Sequence, residues 1–67
     1  MKNFGICLSK ALKKKEISQR ELAEMLNLAE QNIGRWTLGK RIPRLDTFLK
    51  ICQCLEMTPN ELLGIEE

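Results

Sequence analysis

Few side chains in this 67-residue chain could do covalent chemistry. It has no histidine, no nucleophile set beside a base, and no glycine-rich loop to cradle a phosphate, so an enzyme is not expected. Cys52 and Cys54 stand two residues apart, which on a helix points them to roughly opposite sides, and Cys7 is remote from both in sequence. The three read as small apolar residues in a reducing compartment, and neither a metal site nor a cofactor is expected. What remains is recognition through hydrogen bonds and charge. The polar and charged groups that could provide it are Gln19, Arg20, Glu30, Gln31, Asn32 and Arg35, followed closely by Lys40, Arg41 and Arg44.

The elements that must position these groups are legible from capping and periodicity. Ser18 with Glu21 three residues later spells a capping box, so a helix should start at Ser18. Leu22, Ala23, Met25 and Leu26 give it an apolar stripe, and Asn27, which tolerates the left-handed backbone, should end it. Leu28 is expected to pack inward across the turn. A second helix, about Ala29 to Leu38, carries Ile33 and Trp36 on one face and Glu30, Gln31, Asn32 and Arg35 on the others, with Gly39 as its stop signal. Two short amphipathic helices about a tight turn, SQRELAEMLNLAEQNIGRWTL, have the spacing by which a helix is presented to the major groove of DNA.

Around this stretch the pattern predicts an all-α, five-helix domain without strands. A first helix, about Asn3 to Lys15, buries Phe4, Cys7, Leu8, Ala11 and Leu12 and leaves Lys10, Lys13 and Lys14 outside, with Ile6 off the arc. KRIPR after Gly39 is a loop, because Pro43 holds Ile42 extended. A fourth helix, near Leu45 to Leu55, sets Leu45, Phe48, Leu49, Cys52 and Leu55 on one face, with Ile51 and Cys54 beside it. Thr58, Pro59 and Glu61 form a second capping box, starting a last helix over Asn60 to Leu63.

A chain this short buries only about 60% of its unfolded surface, so its 43% hydrophobic content is needed to close one core. One domain, residues 1–67 with its motif at 18–38, is expected. No apolar run is long enough to span a membrane and MKNFGICLSK does not resemble a signal peptide, so a cytoplasmic protein is expected. Net charge is +2, but residues 1–44 carry ten Lys and Arg against four acids (+6), and residues 45–67 carry Lys50 against five acids (−4). The basic part contains the two-helix motif, where phosphate contacts would be made.

The set Gln19, Leu22, Ala23, Leu26, Leu28, Ile33, Trp36 and Gly39 resembles, in identity and spacing, the phage-repressor type of helix-turn-helix, the Cro and lambda-repressor-like domains of the XRE family. The resemblance runs from about Phe4 to Leu63. It implies that the helix from Ser18 braces on the DNA backbone while the helix from Ala29 enters the major groove. Glu30, Gln31, Asn32 and Arg35 would then read bases: Gln31 on adenine, Arg35 on guanine or a phosphate, Asn32 on adenine or a phosphate. Gln19, Arg20, Lys40, Arg41 and Arg44 would hold phosphates. Arg35 has an alternative partner in Glu21 or Glu24, and Trp36 reads first as core.

Three positions depart from the family pattern. Ala29 stands where Ser or Thr usually caps the second helix, Glu30 is a carboxylate that phosphates would repel unless it accepts from a cytosine amine, and Gly34 interrupts the helix. Arg44 likewise replaces a common serine cap before the fourth helix. The resemblance implies a transcriptional regulator, a repressor on a pseudo-palindromic double-stranded DNA operator, acting as a homodimer. Leu62, Leu63 and Ile65, with Ile6 as an outsider, are the candidate dimer contacts, equally readable as core. No small-molecule effector site is expected. The alternatives are the antitoxin of a toxin–antitoxin pair and a protein-interaction domain that has lost DNA binding.

Overall fold

A computed structural model describes residues 3–65. Among them the chain forms five helices, α1 (Phe4–Lys15), α2 (Gln19–Leu26), α3 (Glu30–Thr37), α4 (Leu45–Leu55) and α5 (Pro59–Leu63), and no strand. These are the expected elements with small changes at their ends. Asn3, Ser18, Ala29 and Leu38 are caps rather than helical residues, and Pro59 opens α5.

Both capping boxes form. Glu21 N–H donates to Ser18 Oγ at 3.0 Å and Ser18 N–H donates back to Glu21 Oε1 at 3.2 Å. At α5, Glu61 N–H donates to Thr58 Oγ1 at 3.2 Å, while the Thr58 N–H and hydroxyl donate to Glu61 Oε1 at 2.9 and 3.0 Å. Those two bonds, the backbone one foremost, hold the Glu61 carboxyl below its ordinary pKa, with Lys15 and Lys14 adding to the effect.

Four of the helix ends share one device. A left-handed residue follows the helix, and the N–H of the next, apolar residue closes back on it. Glu16 (φ 57°), Asn27 (58°), Glu56 (53°) and Gly64 (72°) take this place after α1, α2, α4 and α5. Ile17, Leu28, Met57 and Ile65 then donate to Leu12, Ala23, Cys52 and Asn60 carbonyls at 2.9–3.0 Å. After α3 the left-handed residue is Gly39 (φ 75°), and Lys40 N–H donates to the Arg35 carbonyl at 3.0 Å. That bond turns the basic loop back along α3.

The core draws on every helix: Phe4, Leu8, Ala11 and Leu12 of α1, Leu22 and Ala23 of α2, Ile33 and Trp36 of α3, Phe48, Ile51, Cys52 and Leu55 of α4, and Leu62 of α5. Phe4 and Phe48 pair with ring centroids 5.6 Å apart, tilted by 57°. Several expectations need correction. Leu45 and Leu49 are 74% and 45% exposed, while Ile51, expected beside the face, is fully buried. α4 meets α2 as well as α1 and α5, so its inward arc is centred on Phe48, Ile51, Cys52 and Leu55, and Leu45 and Leu49 fall at its edge. Leu28 is 40% exposed, because its part in the turn is the backbone closure onto Ala23, and its side chain lies over the surface. Met25 is half exposed and Cys7 half-buried.

Gly5, which no sequence signal marks, is where α1 meets the end of α3. A Cβ there would stand 2.5 Å from the Trp36 carbonyl oxygen and 3.0 Å from that of Thr37, both backbone atoms. Gly5→Ala should therefore lower unfolding free energy by about 1–3 kcal/mol, read as a shifted midpoint in urea denaturation followed by circular dichroism. An unchanged midpoint would show that α1 can move off α3 without cost.

Candidate nucleic-acid interface

α3 is held from one side by Ile33 and Trp36, both buried, and packs on α1 and α2. At 100° per residue its remaining side chains divide between two flanks. Glu30, Gln31 and Gly34 line a groove of about 480 Å³ together with Gln19 and Ala29. Asn32 and Arg35 line a second groove, of about 380 Å³, with Leu28, Trp36, Thr47 and the loop residues 41–44.

The four residues expected to read bases thus lie on one exposed helix surface but do not share one groove. The first groove carries a single formal charge, Glu30; the second gathers Arg35, Arg41 and Arg44 with no acid. Such a cluster can hold phosphate oxygens by charge-assisted, bidentate hydrogen bonds, while the amide and carboxylate beside Gly34 can meet base edges. Among the described residues Arg35 forms no ion pair with Glu21 or Glu24. Glu24 is engaged instead by Arg20, with Nε 3.6 Å from Oε1 on a pair whose side chains are 80% and 71% exposed. An exposed pair of this kind contributes little to stability and leaves Arg20 able to change partner. Lys40 is exposed at the loop's start, and its side chain lines neither groove. Trp36 lies in the core and contributes only to the wall of the second groove.

Gln19 begins α2 at the rim of the first groove, half-buried. Its Nε2 donates to Thr37 Oγ1 at 3.3 Å, and the Thr37 hydroxyl donates to the Gly34 carbonyl at 3.0 Å. Thr37 lies outside the set of residues that the sequence predicts for the site. The available signal was its place three residues after Gly34 in the last turn of the helix, from which a hydroxyl can reach back to a carbonyl.

Neither α3 nor α4 has a side-chain cap at its N-terminus, as Ala29 and Arg44 led one to expect. The candidate dimer contacts separate: Leu62 is fully buried and belongs to the core, Leu63 is half-buried, and Ile65 and Ile6 are 55% and 57% exposed. The three cysteines are unpaired thiols, and burial pushes that of Cys52 up. Among the described residues no group of His, Cys, Asp or Glu could hold a metal ion, and no helix is long and apolar enough to cross a membrane.

A family model described as helix-turn-helix matches residues 8–62. The chain is 32% identical over 65 residues to the HTH-type transcriptional regulator ImmR of Bacillus subtilis (strain 168), covering 97% of this chain and 51% of that protein. It is 33% identical over 60 residues to an SPbeta prophage-derived uncharacterized HTH-type transcriptional regulator of the same organism, YonR, covering 90% of this chain and 56% of that one. The chain therefore spans about half the length of these curated relatives. Among solved structures it is similar to the restriction-modification controller protein C.AhdI from Aeromonas hydrophila. The TM-score is 0.83 at 31% identity, covering 91% of this chain and 92% of that one.

Gly34 weakens α3, yet the fold leaves room for a side chain. A Cβ there would meet only Gln19 Oε1, at 3.6 Å, within the described surroundings. Gly34→Ala should raise unfolding free energy by about 0.5–1 kcal/mol, measured by urea denaturation. A loss of stability would mean that the added methyl disturbs the Gln19 side chain despite an ordinary contact distance.

Proposed function

The chain belongs to the helix-turn-helix family, and on that premise we propose that it is a sequence-specific regulator of transcription, a repressor that occludes a promoter by binding double-stranded DNA as a homodimer. The observation that carries the reading is the division of the α3 surface. A nearly uncharged groove bearing Gln31, Glu30 and Gly34 lies on one flank, and a groove holding Arg35, Arg41 and Arg44 on the other.

In this reading α3 lies in the major groove. Gln31 makes a paired hydrogen bond to adenine and Glu30 accepts from a cytosine amine, each able to discriminate by about 1–3 kcal/mol. Gly34 leaves that flank open to the base edges. Asn32 and Arg35 reach bases or phosphates from the other flank. Arg41, Arg44, Lys40, Arg20 and Gln19 hold the backbone without reading sequence.

Dimerisation follows from size, since an eight-residue helix reads few bases and a symmetric pair reads two half-sites about 34 Å apart. The face we assign to the partner copy is the apolar edge of α4. Leu45 and Leu49 stand one turn apart there, and Leu45 shares with Pro43, Phe48 and Leu63 a groove of about 180 Å³. α4 follows directly on the basic loop, so a partner on this face lies beside the DNA-facing surface.

Selection of bound duplexes from a random pool, then titration of the winner and a scrambled duplex across a salt series, tests the reading. Preference for the winner is expected. Equal weak affinity for both would sink specific recognition, and no binding at low salt would favour a protein-interaction domain. Gln31→Ala should flatten the preference among sequences. Lys40→Ala should weaken all duplexes alike and reduce the slope of log affinity against log salt by about one; the reverse pattern would mean that the faces are exchanged.

Leu45→Lys tests the dimer. It should give a monomer in sedimentation and bind the two-half-site duplex at least about tenfold more weakly, with its single-half-site affinity and melting temperature retained. A dimer persisting in that variant would place the interface elsewhere.

A further inference from the structure

We propose that Thr37 is a positioning residue that orients the Gln19 carboxamide for its contact with DNA. The inference rests on the DNA-binding reading above and adds to it a residue outside the expected contact set.

The geometry constrains the amide at both ends. Thr37 spends its one hydroxyl proton on the Gly34 carbonyl, at 3.0 Å, so its oxygen can only accept from Gln19. Gln19 must therefore turn its amide nitrogen, not its oxygen, toward Thr37, and Nε2 stands 3.3 Å away. The Gln19 oxygen then lies over Gly34, 3.6 Å from where a Cβ would be, against a helix surface bare of side chain. A long side chain with several rotamers and two interchangeable ends is thereby held in one orientation. One N–H remains for a phosphate oxygen, which can only accept, and the carbonyl oxygen faces the groove shared with Glu30 and Gln31.

Holding Gln19 before DNA arrives removes an ordering cost from binding, and the bond also ties the start of α2 to the last turn of α3. Thr37 thus acts through Gln19 and touches no DNA itself.

The test combines Thr37→Val, Thr37→Ser, Gln19→Ala and the double variant Gln19→Ala/Thr37→Val, titrated with the selected duplex. Thr37→Val should weaken binding about three- to tenfold, the worth of one net hydrogen bond, and Thr37→Ser should restore it. The double variant should bind no more weakly than Gln19→Ala alone. In NMR spectra of the unbound protein, the Gln19 side-chain N–H signals should be displaced from those of a solvated glutamine in the native chain and in Thr37→Ser, and should return to the solvated positions in Thr37→Val. Wild-type affinity for Thr37→Val, or additive losses in the double variant, would overturn the proposal while leaving the DNA-binding reading intact. Failure of the native chain to prefer any duplex would instead overturn that reading, and the proposal with it.

Discussion

Burial of Ile33 and Trp36 is what makes residues 30–37 a helix. Eight residues cannot hold a helix in water on their own, and this segment has no side-chain cap at Ala29 and a glycine at its centre. Its stability comes from packing against α1 and α2, through two side chains one turn apart. Gly5 completes the attachment by letting the α1 backbone rest on the carbonyls of Trp36 and Thr37, an approach that any side chain would block. Because the anchors occupy one side only, Glu30, Gln31 and Arg35 owe nothing to the core and stay exposed.

Most of the fold was legible because its signals are local. Ser18 with Glu21 and Thr58 with Glu61 start their helices by bonds that close within three residues, and Asn27 and Gly39 accept a left-handed backbone at low cost. Glu16 and Glu56 take the same conformation with no such signal. There the apolar residues that follow, Ile17 and Met57, pack at the margin of the core and impose the turn from outside. α4 shows the limit of periodicity. Leu45, Phe48, Leu49, Ile51, Cys52, Cys54 and Leu55 cover more than half of the helix circumference, so any of several arcs could face inward, and only the positions of α1, α2 and α5 select the one centred on Phe48 and Leu55.

The candidate site was legible as a set of residues and less so as an arrangement. Glu30, Gln31, Asn32 and Arg35 are all presented on α3, but a rotation of 100° per residue sends Glu30 and Asn32 to opposite flanks. Which loop side chains join them depends on the closure of Lys40 onto the Arg35 carbonyl, a bond with no sequence signature beyond Gly39. Thr37 and Gly5 were missed for a related reason. Each matters through a contact with a residue far away in sequence, one a hydrogen bond and the other a close backbone approach.

The division of charge has a consequence for how α3 can sit on a polyanion. A helix with its side chains is about 10 Å across, comparable to the screening length of about 8 Å at physiological salt. The field of Arg35, Arg41 and Arg44 therefore weakens over the width of α3, and the flank bearing Glu30 feels less of it. Of two phosphate strands bordering a major groove, one would meet the arginine cluster and the other the start of α2. At α2 the groove is bordered by the uncharged Gln19, and the adjacent Arg20 is partly neutralised by Glu24. In the proposed complex the first contact would supply affinity and salt dependence. The second, a directional bond from the uncharged amide of Gln19, would supply alignment, so that the orientation of a single glutamine side chain would matter on that flank and not on the other.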